Sequence, residues 1–390
     1  MERSLNQPAV SQAMQANGLS QSSIAEALGV TRAAVSKWMN GQAFPRPAEL
    51  LKLGKLFNLG YAQIVDAAPQ NHNEPLVAFR RRAGTRTTPA HVAHAKQMGR
   101  LLAPVVKHLG FDQFLSPGRL KNPSLDYDYI QTLVTELRRD LKLDVIGPIQ
   151  FTDLIGKFNE LQAVIVPVMW GAKNRHENAL HIYLPESKAT WVYLNLDSHI
   201  HDFKFWMAHE LGHVLAVDLL TEAKNDEAED FSDAFAGALL FPESAAQKVY
   251  VEYSTARIAR IRMDILVRAA QEYVISPNSV YHEIQNFSRA RHPEIRFEPV
   301  SNKTLHATIA RFNRSYKCVS ETLFPSGKPT AEEFVQVCSD TFQTPVFAAL
   351  AGYLKEQPQS DALISRILDV PLTDAKELRQ VMVSPSSCSG

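Results

Sequence analysis

The chain has 390 residues, of which 45% are hydrophobic and 21% charged, an ordinary globular composition with room for two or three domains. Lys and Arg number 41, and so do Asp and Glu, so overall charge excludes a generally basic chain and any nucleic-acid binding must come from local charge. The odd set Cys318, Cys338 and Cys388 forms no Cys-x-x-Cys pair and suits a reducing compartment, Met1–Val10 lacks an apolar signal core, and no run of about 18 apolar residues occurs; a cytoplasmic protein with no membrane association is expected.

Residues from Pro8 to Ala67 read as a bundle of short helices. Ser20 is a good N-cap for a helix over Gln21–Leu28, Gly29 breaks it, and Thr31 caps a second helix, Arg32–Met39, ended by Asn40-Gly41. Two helices joined by a tight glycine turn make a helix-turn-helix. Ile24, Ala25, Leu28, Val30, Val35 and Trp38 hold the pair together, leaving Gln21, Arg32, Ala33, Ser36, Lys37 and Asn40 outward. The line L-S-Q-S-S-I-A-E-A-L-G-V-T-R-A-A-V-S-K-W-M-N-G resembles the XRE (Cro/repressor-like) DNA-binding family over nearly the whole segment. The resemblance implies that the second helix enters the major groove, with Thr31, Arg32, Ala33 and Ser36 at bases and Gln21, Lys37 and Asn40 at phosphates. It also implies a homodimer on double-stranded DNA. A plain oligomerisation bundle is the alternative.

The polar, Pro-bounded stretch Pro69–Pro75 marks a boundary. After it come Arg80, Arg81, Arg82, Arg86, Lys96, Arg100, Lys107, Arg119 and Lys121 against Asp112 alone, a basic helical connector that can track a DNA backbone, cover an acidic face of the next domain, or stay solvated. His91–Leu109 and Tyr129–Leu141 have helical spacing. Phe151–Asn159 reads as a short helix, and the stretches Gln162–Trp170, Ala179–Leu184 and Ala189–Asn195 as three strands.

The next stretch, Lys204–Leu215, is an apolar helix carrying His209-Glu210-Leu211-Gly212-His213. Residues four apart share a helix face, so His209 and His213 can present two imidazole nitrogens to one metal ion, and Glu210 is placed to take the proton of a water attacking a carbonyl. A catalytic zinc site needs a third protein ligand. In the helix read over Glu227–Pro242, Glu229 and Asp233 are again four apart; with Glu229 on the metal, Asp233 can accept a hydrogen bond from a liganding histidine. Asp226, Glu227 and Asp230 compete for the third position.

Together A-H-E-L-G-H and E-x-x-x-D-x-F-A-G-A-L-L-x-P resemble the ImmA/IrrE family of zinc metallopeptidases. By position, the resemblance implies metal ligands His209, His213 and Glu229, the general base Glu210, and the supporting Asp233, with one zinc per chain. Trp206 stands where the family usually has a small hydroxyl residue, and Ser232 where it usually has alanine. The family and gluzincin-type proteases place a small sheet beside the active-site helix, so Trp191, Tyr193 and Asn195 are expected on an edge strand that pairs with extended substrate. Tyr250, Tyr253, Tyr281 and His282 are unresolved candidates for stabilising an oxyanion. The likeness ends near Arg291; helices such as Glu332–Phe342 and a Ser-rich tail follow.

The expected architecture is α+β and mostly helical. It comprises an all-α helix-turn-helix bundle (1–68), the connector (69–125), a gluzincin-like peptidase domain with a three-stranded sheet (126–291) and a mainly helical C-terminal region (292–390). The implied function is a DNA-binding regulator that hydrolyses a peptide bond in a helix-turn-helix repressor during a stress or mobile-element response. Alternatives are a transcription factor whose peptidase-like domain is a non-catalytic sensor, and an antitoxin or phage-defence component.

Overall fold

Ser20 accepts a hydrogen bond from the Ser23 amide at 3.1 Å and Ser23 Oγ accepts one from the Ser20 amide at 2.8 Å, so serine closes both halves of a capping box at the start of the Gln21–Leu28 helix. Gly29, left-handed at φ 70°, ends that helix, and Thr31 Oγ1 accepts from the Ala34 amide to begin Arg32–Met39. With Gln7–Ala16 and Pro47–Phe57 these helices enclose Val10, Ile24, Leu28, Val35, Trp38, Leu53 and Phe57. Strand β1 (Ser4–Leu5) pairs antiparallel with β2 (Val65–Asp66). Two-residue strands have no periodicity to read, and neither was expected.

These details belong to a computed structural model that describes residues 4–40, 43–57, 59–60, 64–66, 74–78, 89–111, 119–171, 179–221 and 224–384. The chain divides into two units, Met1–Glu74 and Pro75–Gly390. Arg80, Arg81, Arg82, Arg86 and Asp112 of the basic stretch, Gly41, Cys388 and the tail beyond Ser384 lie outside the described residues.

In the second unit the sheet has four strands, not three, in the order β3-β5-β6-β4: β3 (Leu76–Ala78), β4 (Ala163–Val168), β5 (Ala179–Leu184) and β6 (Ala189–Asn195). The added strand β3 comes from the stretch read as connector, and its three residues are too few to show alternation. β5 is antiparallel to both β3 and β6, while β4 runs parallel to β6. Every residue of β4, β5 and β6 is buried, because both faces of the sheet are covered.

Residues directly opposite on antiparallel strands share a face. His181 opposite Val192 therefore faces one way, and Ile182 opposite Trp191 with Leu180 opposite Tyr193 the other. The Ile200–Leu215 helix packs on the His181 face. On the other, Gly99 of the Pro89–Leu102 helix lies against Ile182, and the Tyr193 hydroxyl donates to the carbonyl of Ile367 in the Asp361–Leu368 helix. The 3-10 turn Ala103–His108 packs on Val346–Glu356. The connector helix and the C-terminal helices thus share one hydrophobic core with the sheet.

Candidate metal centre and nucleic-acid interface

The Ile200–Leu215 helix is pinned at its first half by Lys204, whose buried ammonium donates to the carbonyls of Ile149 at 2.7 Å and Tyr273 at 2.5 Å. Tyr273 ends the Ala259–Tyr273 helix, where the dipole favours a cation; burial nonetheless pulls Lys204 down to about 7. In the second half a Cβ at Gly212 would lie 3.0 Å from Ser232 Cα. Only glycine lets the Asn225–Leu240 helix approach this closely, and Ser232 is fully buried against it. Trp206 stands edge-on to His209, with ring centroids 6.0 Å apart.

That approach brings the candidate third ligand, Glu229, to the two histidines. His209 Nε2 is 3.1 Å from His213 Nε2, and the Glu229 carboxylate lies 3.6 Å from the first and 3.4 Å from the second. Tetrahedral bonds of about 2.0–2.2 Å set ligand atoms roughly 3.3 Å apart, so the three donors fit a zinc ion, and two nitrogens with one oxygen are a donor set that zinc takes. Among the described residues His209, His213 and Glu229 form the one such group. Asp226, Glu227 and Asp230 are exposed to solvent and outside it.

Asp233 Oδ1 accepts from His209 Nδ1 at 2.9 Å, which fixes the ring with Nε2 facing the centre. Burial would lower His209, but the Asp233 and Glu229 carboxylates outweigh it and push the imidazole up to about 9. Burial would raise Glu229, but its two histidine partners hold it down at about 2. Burial lowers His213.

Glu210 is 1% exposed, and its Oε2 lies 3.4 Å from Nδ1 of His181 on β5. The sequence reading missed His181. Its ring also lies 5.5 Å from that of His213, and burial pulls it down to about 3, so it is neutral. The available signal was a lone polar residue in an apolar strand, Ala-Leu-His-Ile-Tyr-Leu, which periodicity alone cannot distinguish from a core histidine.

The expected substrate strand is corrected. β6 is interior, paired on both sides, and Trp191 and Tyr193 are fully buried on the face opposite His181, under the connector and C-terminal helices. Asn195 accepts from the amides of Trp170 and Asp197 and holds the loop together. None of the three can pair with a substrate backbone. The free side of β5 is taken by β3, with Ala78 opposite His181.

In the first unit Thr31, Arg32, Ala33, Lys37 and Asn40 are exposed, and Gln21 and Ser36 half-buried. Thr31 spends its lone pair on the helix cap and keeps a hydroxyl hydrogen to donate, and Asn40 Nδ2 is 3.5 Å from Ser36 Oγ. Of the basic connector, Lys107 pairs with Glu356 at 2.6 Å and Arg119 donates to the Tyr183 hydroxyl at 2.5 Å.

A helix-turn-helix bundle and a helical domain with two histidines and a glutamate that can hold a metal beside a small sheet define a DNA-binding regulator with a peptidase-like domain. Residues 10–64 match the family described as helix-turn-helix, and residues 172–285 the family described as the IrrE N-terminal-like domain. The chain joins an XRE-type helix-turn-helix domain to an IrrE-like domain. No curated protein and no solved structure matches the chain. Among the described residues no helix is long and apolar enough to cross a membrane.

Proposed function

We propose that this regulator is a zinc-dependent endopeptidase, with one zinc per chain, that binds double-stranded DNA as a homodimer and cleaves a helix-turn-helix repressor in a stress or mobile-element response. The observation that carries this reading is Glu210, a buried carboxylate beside the ligand cluster and outside it, backed by a neutral histidine. A site that only holds metal needs no such group. When bound, zinc supplies Lewis-acid polarisation of a carbonyl and lowers the pKa of water to about 7. Glu210 takes the proton of the attacking water and returns it to the departing amine. His181 lies against Glu210 Oε2 and limits where that carboxylate can turn, and Asp233 holds His209 with its Nε2 facing the centre.

Of the four oxyanion candidates, Tyr253 donates to the Glu298 carbonyl and Tyr250 stacks on His292, so both are engaged elsewhere. His282 is exposed; desolvation and the Arg289 charge lower its pKa against the opposing Asp233 charge, so its surroundings do not single it out for that role. Glu210→Gln tests the whole reading: the protein should keep about one zinc and lose cleavage of a repressor encoded beside it. Undiminished cleavage by Glu210→Gln would remove the base from the mechanism.

A further inference from the structure

The helices Tyr127–Asp140, Asn225–Leu240 and Pro277–Arg291 line a cavity of about 360 Å³ that shares no residue with the metal centre. Leu125, Ile130, Ala234 and Ala238 supply apolar wall, and Glu283 lines it while only 6% exposed. Asn286 Nδ2 donates to Glu283 Oε1 at 3.3 Å, and among the described residues no cation pairs with this carboxylate. Arg291 of the same helix is committed to Glu243 and Asp128, and the Tyr127 hydroxyl, on the cavity wall, is buried with no hydrogen-bond partner among the described residues.

A buried carboxyl without a countercharge is destabilising relative to an apolar side chain, so packing does not account for Glu283. Space for it depends on Gly237, where a Cβ would collide with the carboxylate oxygen. Burial holds Glu283 up at about 8, the state of an acid lacking its cation. Apolar walls with a few convergent polar groups, in a volume of about 300–1,000 Å³, are what small-molecule sites have in common.

We propose that this cavity binds a small organic cation, an amidinium, guanidinium or protonated amine on an apolar body. Its N–H groups pair with Glu283, the Tyr127 hydroxyl and the Asn286 amide take its remaining polar edge, and the exposed Arg289 on the cavity lining meets an anionic far end. Ala234 follows Asp233 directly, and Ala238 is on the same helix as Glu229, so an occupant abuts the helix that supplies the third metal ligand.

Calorimetric titration of the full chain with benzamidine, 4-amidinobenzoate and the neutral isostere benzamide tests this. Benzamidine should bind saturably, roughly one per chain, 4-amidinobenzoate more tightly, and benzamide not detectably. Binding should persist after chelation of metal, so the outcome is independent of the peptidase reading. Glu283→Gln should weaken benzamidine binding at least ~10-fold, and Arg289→Ala should remove only the advantage of 4-amidinobenzoate. Glu283 must lose its proton to pair with a cation at pH 7, so the apparent enthalpy of wild-type binding should differ between phosphate and Tris by the heat of protonating the buffer. Tyr127, Asp128, Glu243, Arg289 and Arg291 are the titratable and charged groups about the cavity, and Glu283→Gln should abolish the difference while leaving them in place. Equal affinity of Glu283→Gln and wild type, a buffer-independent wild-type enthalpy, or no binding of either amidine would each overturn the proposal.

Discussion

Arg32, Ala33 and Lys37 stand in water on a helix positioned by local caps at Ser20 and Thr31, whereas His209, Glu210 and His213 are at most 1% exposed and meet partners from two helices and a strand. Exposed side chains contribute little to stability, so substitutions on the reading helix should alter binding and leave the fold intact. The buried set is different. Its members pack against one another in a buried polar cluster, so removing one changes the surroundings of the rest, and function and stability are coupled there.

The largest effect expected is on metal content. Purified protein should hold about one zinc per chain, and the double variant His209→Ala with His213→Ala should hold none while retaining its affinity for DNA. Elemental analysis beside a DNA-binding assay checks both halves; zinc at full stoichiometry in the double variant would break the assignment of the site.

Smaller losses should rank the acidic helix. Glu229→Gln should weaken zinc binding more than Glu227→Gln or Asp230→Asn, and Asp233→Ala should cost roughly 10- to 100-fold in affinity through the orientation of His209. Competition with a chelator gives the order. Were Glu227→Gln the most damaging, the approach of the two helices at Gly212 would be misread.

On the exposed side, Arg32→Ala should cost about 1–3 kcal/mol on the preferred site and relax sequence preference, whereas Lys37→Ala should weaken all sequences alike and lower the salt slope by about 1. Zinc content should not change in either. Titrations at several salt concentrations distinguish them, and equal binding of every sequence by wild type would reduce the unit to a nonspecific tether.

The smallest effect concerns Lys204, whose folded value of about 7 lies below its ordinary 10.5. Between those values the unfolded chain holds a proton that the folded chain has released, so stability rises with pH in that window and is flat below it. The gain is about 1 kcal/mol between pH 7 and 8. Chemical denaturation at the two pH values measures it, and Lys204→Met should remove this contribution; an unchanged pH dependence in that variant would mean that Lys204 stays charged in the fold.

Much of this was legible before any coordinates. The capped helices Gln21–Leu28 and Arg32–Met39, the helix carrying His209 and His213, and the acidic helix with Glu229 all follow from signals within a few residues; the first two match the expected boundaries, the acidic helix differs by two residues, and the histidine helix begins four residues earlier than expected, at Ile200. β3 and the β1–β2 pair were not, since strands of two or three residues carry no period and depend on partners more than 50 residues away. The expected substrate strand was misplaced for a related reason: alternation along Ala189–Asn195 tells which residues share a face, and says nothing of which face meets the helix carrying His209 and His213 or which strand lies at the edge.

By itself the sequence determined two arrangements, because each rests on spacing within one helix: outward polar residues behind a glycine turn, and histidines four apart on a common face. Only the tertiary structure decided how the second becomes a site. Gly212 against Ser232 brings Glu229 to the two histidines, β5 places His181 beside Glu210, and the C-terminal helices cover the sheet face that carries Trp191 and Tyr193. Those contacts join residues far apart in the chain, where local periodicity has no reach and the approach of one backbone to another sets which side chains meet.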